Sequence, residues 1–382
     1  MRYLNTTDYP THYGGEIVGF DPCRFMSDAV AHRLGRGTQF ALAATKMALE
    51  DAGLEAPPEY GEPDAPHPSS RERRTGVCLG TTMADIQALE EIDAVWVSHG
   101  EREIPSRLFY QYPSCSMSAN VATCCGFLGP NLMIPTACAA GNYALAHACD
   151  LLQLGQADVM VAGGAEPFSR IIFMGFNRLL AMAGERCQPF DKHRKGLIAG
   201  EGAAILVLER LEDARARRAH IYAEIRGYGM SCDGDSMTIP DVGGITRVLT
   251  NALEYADIEP REVDYISAHG TGTPANDRTE CASIRTVFGA HADHVPVSSI
   301  KSMLGHTMGA ASALEAVACA LAVQEDELPP TMNFEVPDPE CDVDCIPNSS
   351  RKHRTDVALN NSFAFGGNNA CVVFSKHPNG PS

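Results

Sequence analysis

One cysteine and two histidines stand where the chain passes from a strand-like run to a helix-like run. A nucleophile with two imidazoles is a set suited to group transfer. Cys138 lies in MIPTACAAGNYAL, after a short apolar run and before a helix that opens on Ala139, Ala140 and Gly141. Unsatisfied N–H groups and the positive end of a helix dipole favour thiolate over thiol there, so a lowered pKa is expected, and the small residues leave room for substrate. The local pattern also fits an ordinary buried cysteine. His269 ends YISAHG and enters the irregular loop TGTPAND, while His306 sits in KSMLGHTMGAAS, five residues after Lys301 and just before another small-residue helix. Each histidine alone reads as a structural or surface residue, but the three residues together form a Cys/His constellation.

A further segment, NNSFAFGGNNACVV, sets a glycine pair between two strand-like runs, with Phe363 and Phe365 on its approach. It reads as a hairpin with a short glycine-containing loop. It reads equally as a loop whose backbone N–H approaches a substrate oxygen while an aromatic ring closes the pocket. The residues alone leave both readings open.

These groups need a scaffold, and the apolar runs supply one. TGVCLGTT, MIPTAC, ADVMVAGGAE and AAILVLE are short continuous apolar runs, as are VDYISAHG, VPVSSI, DVALNNSF and ACVVF in the second half. They alternate with helical stretches at 37–53, TRVLTNALEYA and ALEAVACALAV, the pattern of strands buried on both faces in an α/β protein. Each half contains a strand, a turn of small residues and an Ala-rich helix, PTACAAGNYALAHA in one and SSIKSMLGHTMGAASALEAVA in the other, which points to an internal duplication. The halves divide at 1–209 and 210–376, with 377–382 a tail and 55–74, rich in Pro and charge, a surface excursion.

Composition narrows the classes. With 48 acidic against 30 basic side chains, a formal charge of −18 argues against a general nucleic-acid or anionic-membrane binder. RYLNTTDY after Met1 has neither the basic nor the apolar region of a secretory signal, and AVACALAV is far too short to span a bilayer, so the chain is placed in the cytoplasm. Fourteen cysteines without a secretory signal read as buried small hydrophobes plus one reactive thiol. Cys124 with Cys125, and Cys341 with Cys345, lack a second ligand pair, so no zinc is expected.

Taken together, GEIVGFDP, TQFALAATKMALEDAGL, PTACAAGNYAL, ADVMVAGGAEP, QPFDKHRKGLIAGEGAAILVLE, AHGTGTPAND, KSMLGHTMGAASALEA and NSFAFGGNNA run in order along essentially the whole chain. The set resembles the β-ketoacyl-acyl carrier protein synthases, the elongating ketosynthases of the thiolase superfamily. The resemblance implies an α/β fold of five layers, α-β-α-β-α, in two related halves, and a cytoplasmic acyltransferase of fatty acid or polyketide biosynthesis. Cys138 would take an acyl group from a carrier-protein phosphopantetheine thioester. His269 and His306 would bind the malonyl thioester carbonyl and stabilise the enolate left by carbon dioxide. Backbone N–H groups of Cys138 and Phe365 would form the oxyanion hole, with Phe365 as gate. Lys301 and Glu315 would organise the site. Thr271 and Thr273, with Phe363 beside them, would contact the pantetheine arm. The implied partners are an acyl carrier protein and a second ketosynthase-like chain, identical or not. No cofactor, metal or nucleotide is implied, since the phosphopantetheine belongs to the carrier.

Residue types separate the near relatives. Degradative thiolases carry a second cysteine near NSFAFGG, which has none here; initiating ketosynthases usually carry Asn where this chain has His306; chain-length factors commonly lack the nucleophile. The resemblance also implies a strand segment ahead of this sequence's first residues, without which the first sheet has a gap. That departure motivates one alternative, a non-catalytic or impaired partner subunit; a second, a malonyl decarboxylase or acyltransferase without condensation, follows because those partial reactions need only part of the same site. Ala364 stands where the family loop usually has Gly, and is expected to stiffen the gate. Arg33, Arg36 and Arg194 lie in segments resembling the carrier-docking surface and are expected to bind the acidic carrier.

Overall fold

The computed structural model describes residues 4–54 and 74–377. Most of the expected excursion at 55–74, and the tail beyond His377, lie outside those residues. His377 itself is no tail residue, since it is buried and its Nδ1 lies 2.6 Å from Glu224 Oε1.

Two sheets form the frame. In the first, β1 (Thr75–Gly80), β2 (Asn131–Ile134), β3 (Val159–Glu166) and β4 (Gly202–Glu209) run in the order β2-β1-β3-β4, with only the β3/β4 pair antiparallel. The second contains β5 (Glu224–Cys232), β6 (Tyr265–Ser267), β7 (Val297–Ser298), β10 (Val357–Phe363) and β11 (Asn368–Ser375), in the order β5-β11-β10-β6-β7. A two-residue ribbon, β8 (Glu327–Leu328) with β9 (Arg351–Lys352), lies apart. Read from β2 and from β7, the first four strands have the same directions, so the halves share one topology. The fifth position differs. β11 is flanked by antiparallel β5, whereas β4 has no outer partner strand among the described residues, and its last four residues are only half-buried.

The continuous apolar runs follow from this layering. β1 and β3 are buried at every residue because helices cover both sheet faces. α1 (Asp28–Arg33) is a short surface helix; α2 (Arg36–Asp51) and α3 (Cys115–Cys124) cover the outside of the first sheet. α4 (Ala140–Gln153) fills the space between the sheets, and α5 (Arg170–Arg178) packs in a separate cluster with Leu4, Leu197 and Met308. α6 (Val242–Ala256) and α7 (Pro274–Phe288) cover the outside of the second sheet, and α8 (Ala311–Glu325) joins α4 in the middle. The order is helix, sheet, helix, sheet, helix.

α4 and α8 are locked together by amides that leave no freedom of register. Asn142 Nδ2 donates to Asn360 O at 2.9 Å, Asn360 Nδ2 donates to Asn142 Oδ1 and to Ser312 O, both at 2.8 Å, and Asn142 N–H donates to Ser312 Oγ at 3.0 Å. All three side chains are fully buried, so each bond offsets a desolvation cost of about 1–3 kcal/mol. β5 escaped the sequence reading because EIRGYGMSC has neither clean alternation nor an apolar run. Its glycines have a packing reason. A Cβ on Gly229 would sit 2.2 Å from Val248 O, so only glycine lets α6 lie this close to the strand.

Candidate active site

Cys138 sits in a single 3₁₀ turn, Ala137–Ala139, between β2 and the first residue of α4. Ala137, just before it, has φ +49, a conformation that costs a non-glycine residue about 1–3 kcal/mol. The surroundings hold it there: Ser362 Oγ donates to Cys138 O at 2.9 Å, and Ala139 and Ala364 pack beside the thiol. The expected lowering of the thiol pKa is not found. Burial pushes Cys138 up to about 12, with the Glu166 carboxyl adding to the rise, against Lys301 and the backbone N–H groups of Cys138 and Phe365, which favour the thiolate. A helix N-terminus acts over a turn; loss of water at a residue only 6% exposed outweighs it.

The histidines meet Cys138 in one cavity of about 310 Å³, also lined by Thr271, Thr273, Phe363 and Phe365. His269 and His306 face each other edge to face, ring centroids 5.5 Å apart, and Phe363 packs on His269 at 5.8 Å. Both rings are buried and held well below the ordinary histidine pKa, chiefly by burial and then by the Lys301 charge. Their tautomers follow from their partners. His306 Nδ1 accepts the Met308 N–H at 3.2 Å, and His269 Nδ1 faces the Lys301 ammonium at 3.4 Å, so each ring carries its proton on Nε2. Two neutral N–H donors result.

Behind them stands a layer of buried charge. Lys301 and Glu315, both almost inaccessible, form an ion pair, and burial lifts the Glu315 carboxyl to about 7 in spite of Lys301. Neither lines the cavity; they act through His269. Glu280 accepts the His269 and Gly270 N–H groups at 2.9 and 2.8 Å, and Glu166 accepts Thr81 Oγ1 at 3.0 Å and the N–H groups of Met83 and Gly309 at 3.0 and 3.2 Å. Both carboxyls are pushed up to about 7 by burial. Glu166 and Glu280 were missed in the sequence. The available signal was a lone carboxylate closing a fully apolar strand, VMVAGGAE, which burial obliges to find several donors.

Thr271 and Thr273 join their hydroxyls at 2.8 Å on the cavity wall. The glycine segment is a hairpin between β10 and β11, and Phe363, Ala364, Phe365 and Gly367 line the cavity. Gly366 and Gly367 take φ +89 and +75, and Gly366 N–H donates to Met237 O at 2.9 Å. Ala364 is not among the positive-φ residues, so its methyl imposes no backbone strain. Phe365 stands at the mouth, its ring centroid 5.6 Å from that of Phe176.

Of the three arginines expected to dock the carrier, Arg194 is corrected by its burial, while the Arg36 side chain is 31% exposed. Arg194 has a 4% exposed side chain, paired with Asp338, 3.7 Å from Asp277 Oδ2, and donating to Asp191 O and Pro274 O at 3.0 and 3.2 Å. It clamps the threonine loop from behind. Arg36 holds Glu201 through two bonds of 2.9 and 2.6 Å, and Glu201 in turn accepts the Ile17 and Phe168 N–H groups at 2.9 and 3.0 Å. Both segments carry basic residues because the fold spends them on buried carboxylates. Arg33, on the last turn of α1, is exposed. Replacing Arg194 by Ala therefore destabilises the fold by about 3 kcal/mol or more, because it strands the fully buried Asp277. A lowered melting temperature in the free protein, before any carrier is added, is the expected reading.

The family model described as "Beta-ketoacyl synthase, N-terminal domain" matches residues 5–214, and "Beta-ketoacyl synthase, C-terminal domain" matches 222–335. The chain belongs to the β-ketoacyl synthase family. The 3-oxoacyl-[acyl-carrier-protein] synthase 2 of Synechocystis sp. is 39% identical over 98% of this chain and 89% of the relative, and that of Coxiella burnetii is 38% identical over 98% and 90%. Among solved structures, the ishigamide ketosynthase/chain length factor matches with TM-score 0.91 at 37% identity, over 98% of this chain and 90% of that one. A type II PKS acyl-carrier protein in complex with its ketosynthase matches with TM-score 0.85 at 33% identity, over 97% and 89%. The five layers are thus the fold of known ketosynthases. No helix among the described residues is long and apolar enough to cross a membrane.

The neutral histidines have a measurable consequence. Folded, each ring resists protonation, while in the unfolded chain it titrates near 6.5; below that pH the unfolded state binds more protons. Their contribution to stability is therefore intact above pH 6.5 and is lost on acidification, at up to about 1.4 kcal/mol per ring and pH unit. Glu166, Glu280 and Glu315, lifted to about 7, have the opposite sign and lose stability as pH rises through 7. The expected result is that His306→Gln, which cannot titrate, loses about 1 kcal/mol less than wild type over one pH unit below 6. Urea unfolding at the two pH values measures it.

Proposed function

We propose that this ketosynthase condenses an acyl group carried on Cys138 with malonyl-acyl carrier protein, releasing carbon dioxide and a β-ketoacyl thioester for fatty acid or polyketide biosynthesis. The observation that carries the reading is the pair of Nε2–H donors of His269 and His306, fixed by Lys301 and by Met308 N–H, in the same cavity as Cys138.

The chemistry follows from those groups. Cys138 sulfur attacks the acyl thioester, the carrier sulfur leaves, and the thiol proton passes to that leaving sulfur. Negative charge on the acyl oxygen faces the N–H groups of Cys138 and Phe365, both aimed at the sulfur's position. Malonyl-carrier then enters. Its carboxylate leaves as carbon dioxide, the bonding pair moves into an enolate, and the enolate oxygen takes both histidine N–H bonds, each worth about 2.7–4 kcal/mol in a water-poor site. The new carbon–carbon bond forms at the acyl carbonyl, Cys138 leaves as thiolate, and a solvent proton restores it.

Lys301, Glu315 and Glu280 are positioning residues in this scheme, and Thr271 and Thr273 offer hydroxyls to the amides of the pantetheine arm. Phosphopantetheine arrives with the carrier as substrate. We infer a dimer with a like or related chain, supported by β2, which ends its sheet with Asn131 and Leu132 exposed. The test is intact mass spectrometry after acyl-carrier protein and then malonyl-carrier protein. An acyl adduct discharged as β-ketoacyl-carrier protein is expected. Acylation without discharge would reduce the activity to acyl transfer, and a folded chain that takes no acyl group would make it a partner subunit.

A further inference from the structure

The tautomer of His269 depends on its distance from Lys301, and a bond outside the cavity ties the two segments together. β6 and β7 run parallel with Ser267 opposite Ser298, and Ala268 N–H donates to Ser298 O at 2.9 Å at the end of the pair. Past that bond both chains leave the sheet, Gly270 at φ +36 and Ile300 at φ −71, ψ −10. A side chain takes over there. Ser299 Oγ donates to Gly270 O at 2.6 Å, joining the residue after His269 to the residue two before Lys301. Ser299 is fully buried and is itself fixed, its N–H donating to Thr331 Oγ1 at 3.0 Å and its carbonyl accepting Ser302 Oγ at 2.7 Å. Glycine at 270 belongs to the same arrangement. A Cβ there would sit 2.5 Å from Ser299 Cβ, so only glycine lets the hydroxyl reach the carbonyl. Glu280 holds the N–H side of this turn, through His269 and Gly270, and Ser299 holds its carbonyl side.

We propose that Ser299 is a positioning residue, whose hydroxyl holds the His269 turn in register with Lys301 and so keeps the His269 proton on Nε2, where the enolate oxygen takes it. The inference rests on the function proposed above. The contact of His269 Nδ1 with Lys301 Nζ is 3.4 Å, at the long limit of a hydrogen bond, so a small shift breaks it. Release of Gly270 O supplies that shift. A buried carbonyl deprived of its donor moves toward another, and a residue without Cβ is free to rotate as it does so. The other two groups of the site are held elsewhere. His306 takes its tautomer from Met308 N–H, and Cys138 is fixed through Ser362. Loss of the Ser299 hydroxyl therefore weakens one enolate donor and leaves the nucleophile in place.

The test is Ser299→Ala, read in two ways. The substitution deletes a single oxygen and keeps the backbone bonds to Thr331 and Ser302, so the fold is retained, as a melting curve verifies. Carbon dioxide release from malonyl-carrier protein is expected to fall about tenfold through kcat, well short of the roughly 10²–10³-fold loss that follows complete removal of such a donor. Acylation of Cys138 by acyl-carrier protein, followed by intact mass, is expected to stay within about twofold of wild type. The second reading is nitrogen NMR of protein labelled with nitrogen-15 histidine, the His269 signals being those absent from His269→Gln. Wild type is expected to show one protonated and one unprotonated ring nitrogen at His269, and in Ser299→Ala both signals move toward the average of the two tautomers. A merely structural hydroxyl would lower the melting temperature and leave that spectrum as it is. An unchanged His269 spectrum in Ser299→Ala, or carbon dioxide release and acylation falling in step, overturns the proposal. Wild type that releases no carbon dioxide overturns the proposed function instead, and the spectra still decide whether Ser299 sets the His269 tautomer.

Discussion

Cys138→Ala is expected to abolish the acyl adduct and to lower condensation by about 10⁴-fold or more, while leaving malonyl decarboxylation within about tenfold of wild type. The two halves of the reaction use different atoms. Acyl transfer needs the sulfur, whereas enolate formation needs the Nε2–H groups of His269 and His306, whose tautomers are set by Met308 N–H and Lys301 and owe nothing to Cys138. The substitution is gentle. Ala keeps the backbone N–H of residue 138 and its carbonyl bond to Ser362, and deletion of one sulfur among Ala139, Ala364 and Ala370 costs about 1 kcal/mol. Intact mass reads the adduct, and carbon dioxide release from malonyl-carrier protein reads the second half. If decarboxylation vanished together with the adduct, enolate stabilisation would depend on the sulfur, and the division of labour drawn here would be wrong.

How far the sequence could be read depends on whether a feature is encoded locally. β1, β3 and the core of β4 were visible because burial on both faces demands unbroken apolar runs, and α2 because Phe40, Ala43, Ala44, Met47 and Ala48 recur at helical spacing. Cys138, His269 and His306 were visible because strand-to-helix turns of small residues are where a chain can present a side chain to a cavity. β5 was not, because its side of the bargain is struck by α6, whose backbone needs Gly229 beneath it. Charge was misread for the same reason. Arg194 looks like a surface cation in a one-dimensional list, and only the fold brings Asp277 and Asp338 to it from positions far away in the chain. The pKa of Cys138 was misjudged because a helix terminus is local and legible, whereas burial among Ala139, Ala364 and Ala370 is not.

Lys301→Met is expected to damage stability and the decarboxylation half together, and a second substitution separates the two. Lys301 is the counter-charge of Glu315, and both are buried, so removing the ammonium alone leaves an uncompensated buried carboxyl and costs about 3–5 kcal/mol. Glu315 Oε2 already lacks a protein partner, so no neighbouring donor is in place to take over. His269 loses more than a neighbour. Without a donor opposite Nδ1, nothing holds its proton on Nε2, and one of two enolate donors fails for part of the time; a fall of about 10²–10³-fold in carbon dioxide release is expected. Cys138 also loses the cation that favours its thiolate, so acylation slows as well, though the attacking atom and its oxyanion donors remain. In Lys301→Met/Glu315→Leu the buried charge is gone from both partners, and replacing a buried ion pair by apolar groups of similar volume is close to neutral for stability. The double variant should therefore recover most of the lost stability in urea unfolding and none of the lost decarboxylation. Recovery of both would mean that Lys301 serves only the fold; recovery of neither would mean that the pair packs against the histidines in a way an apolar pair cannot copy.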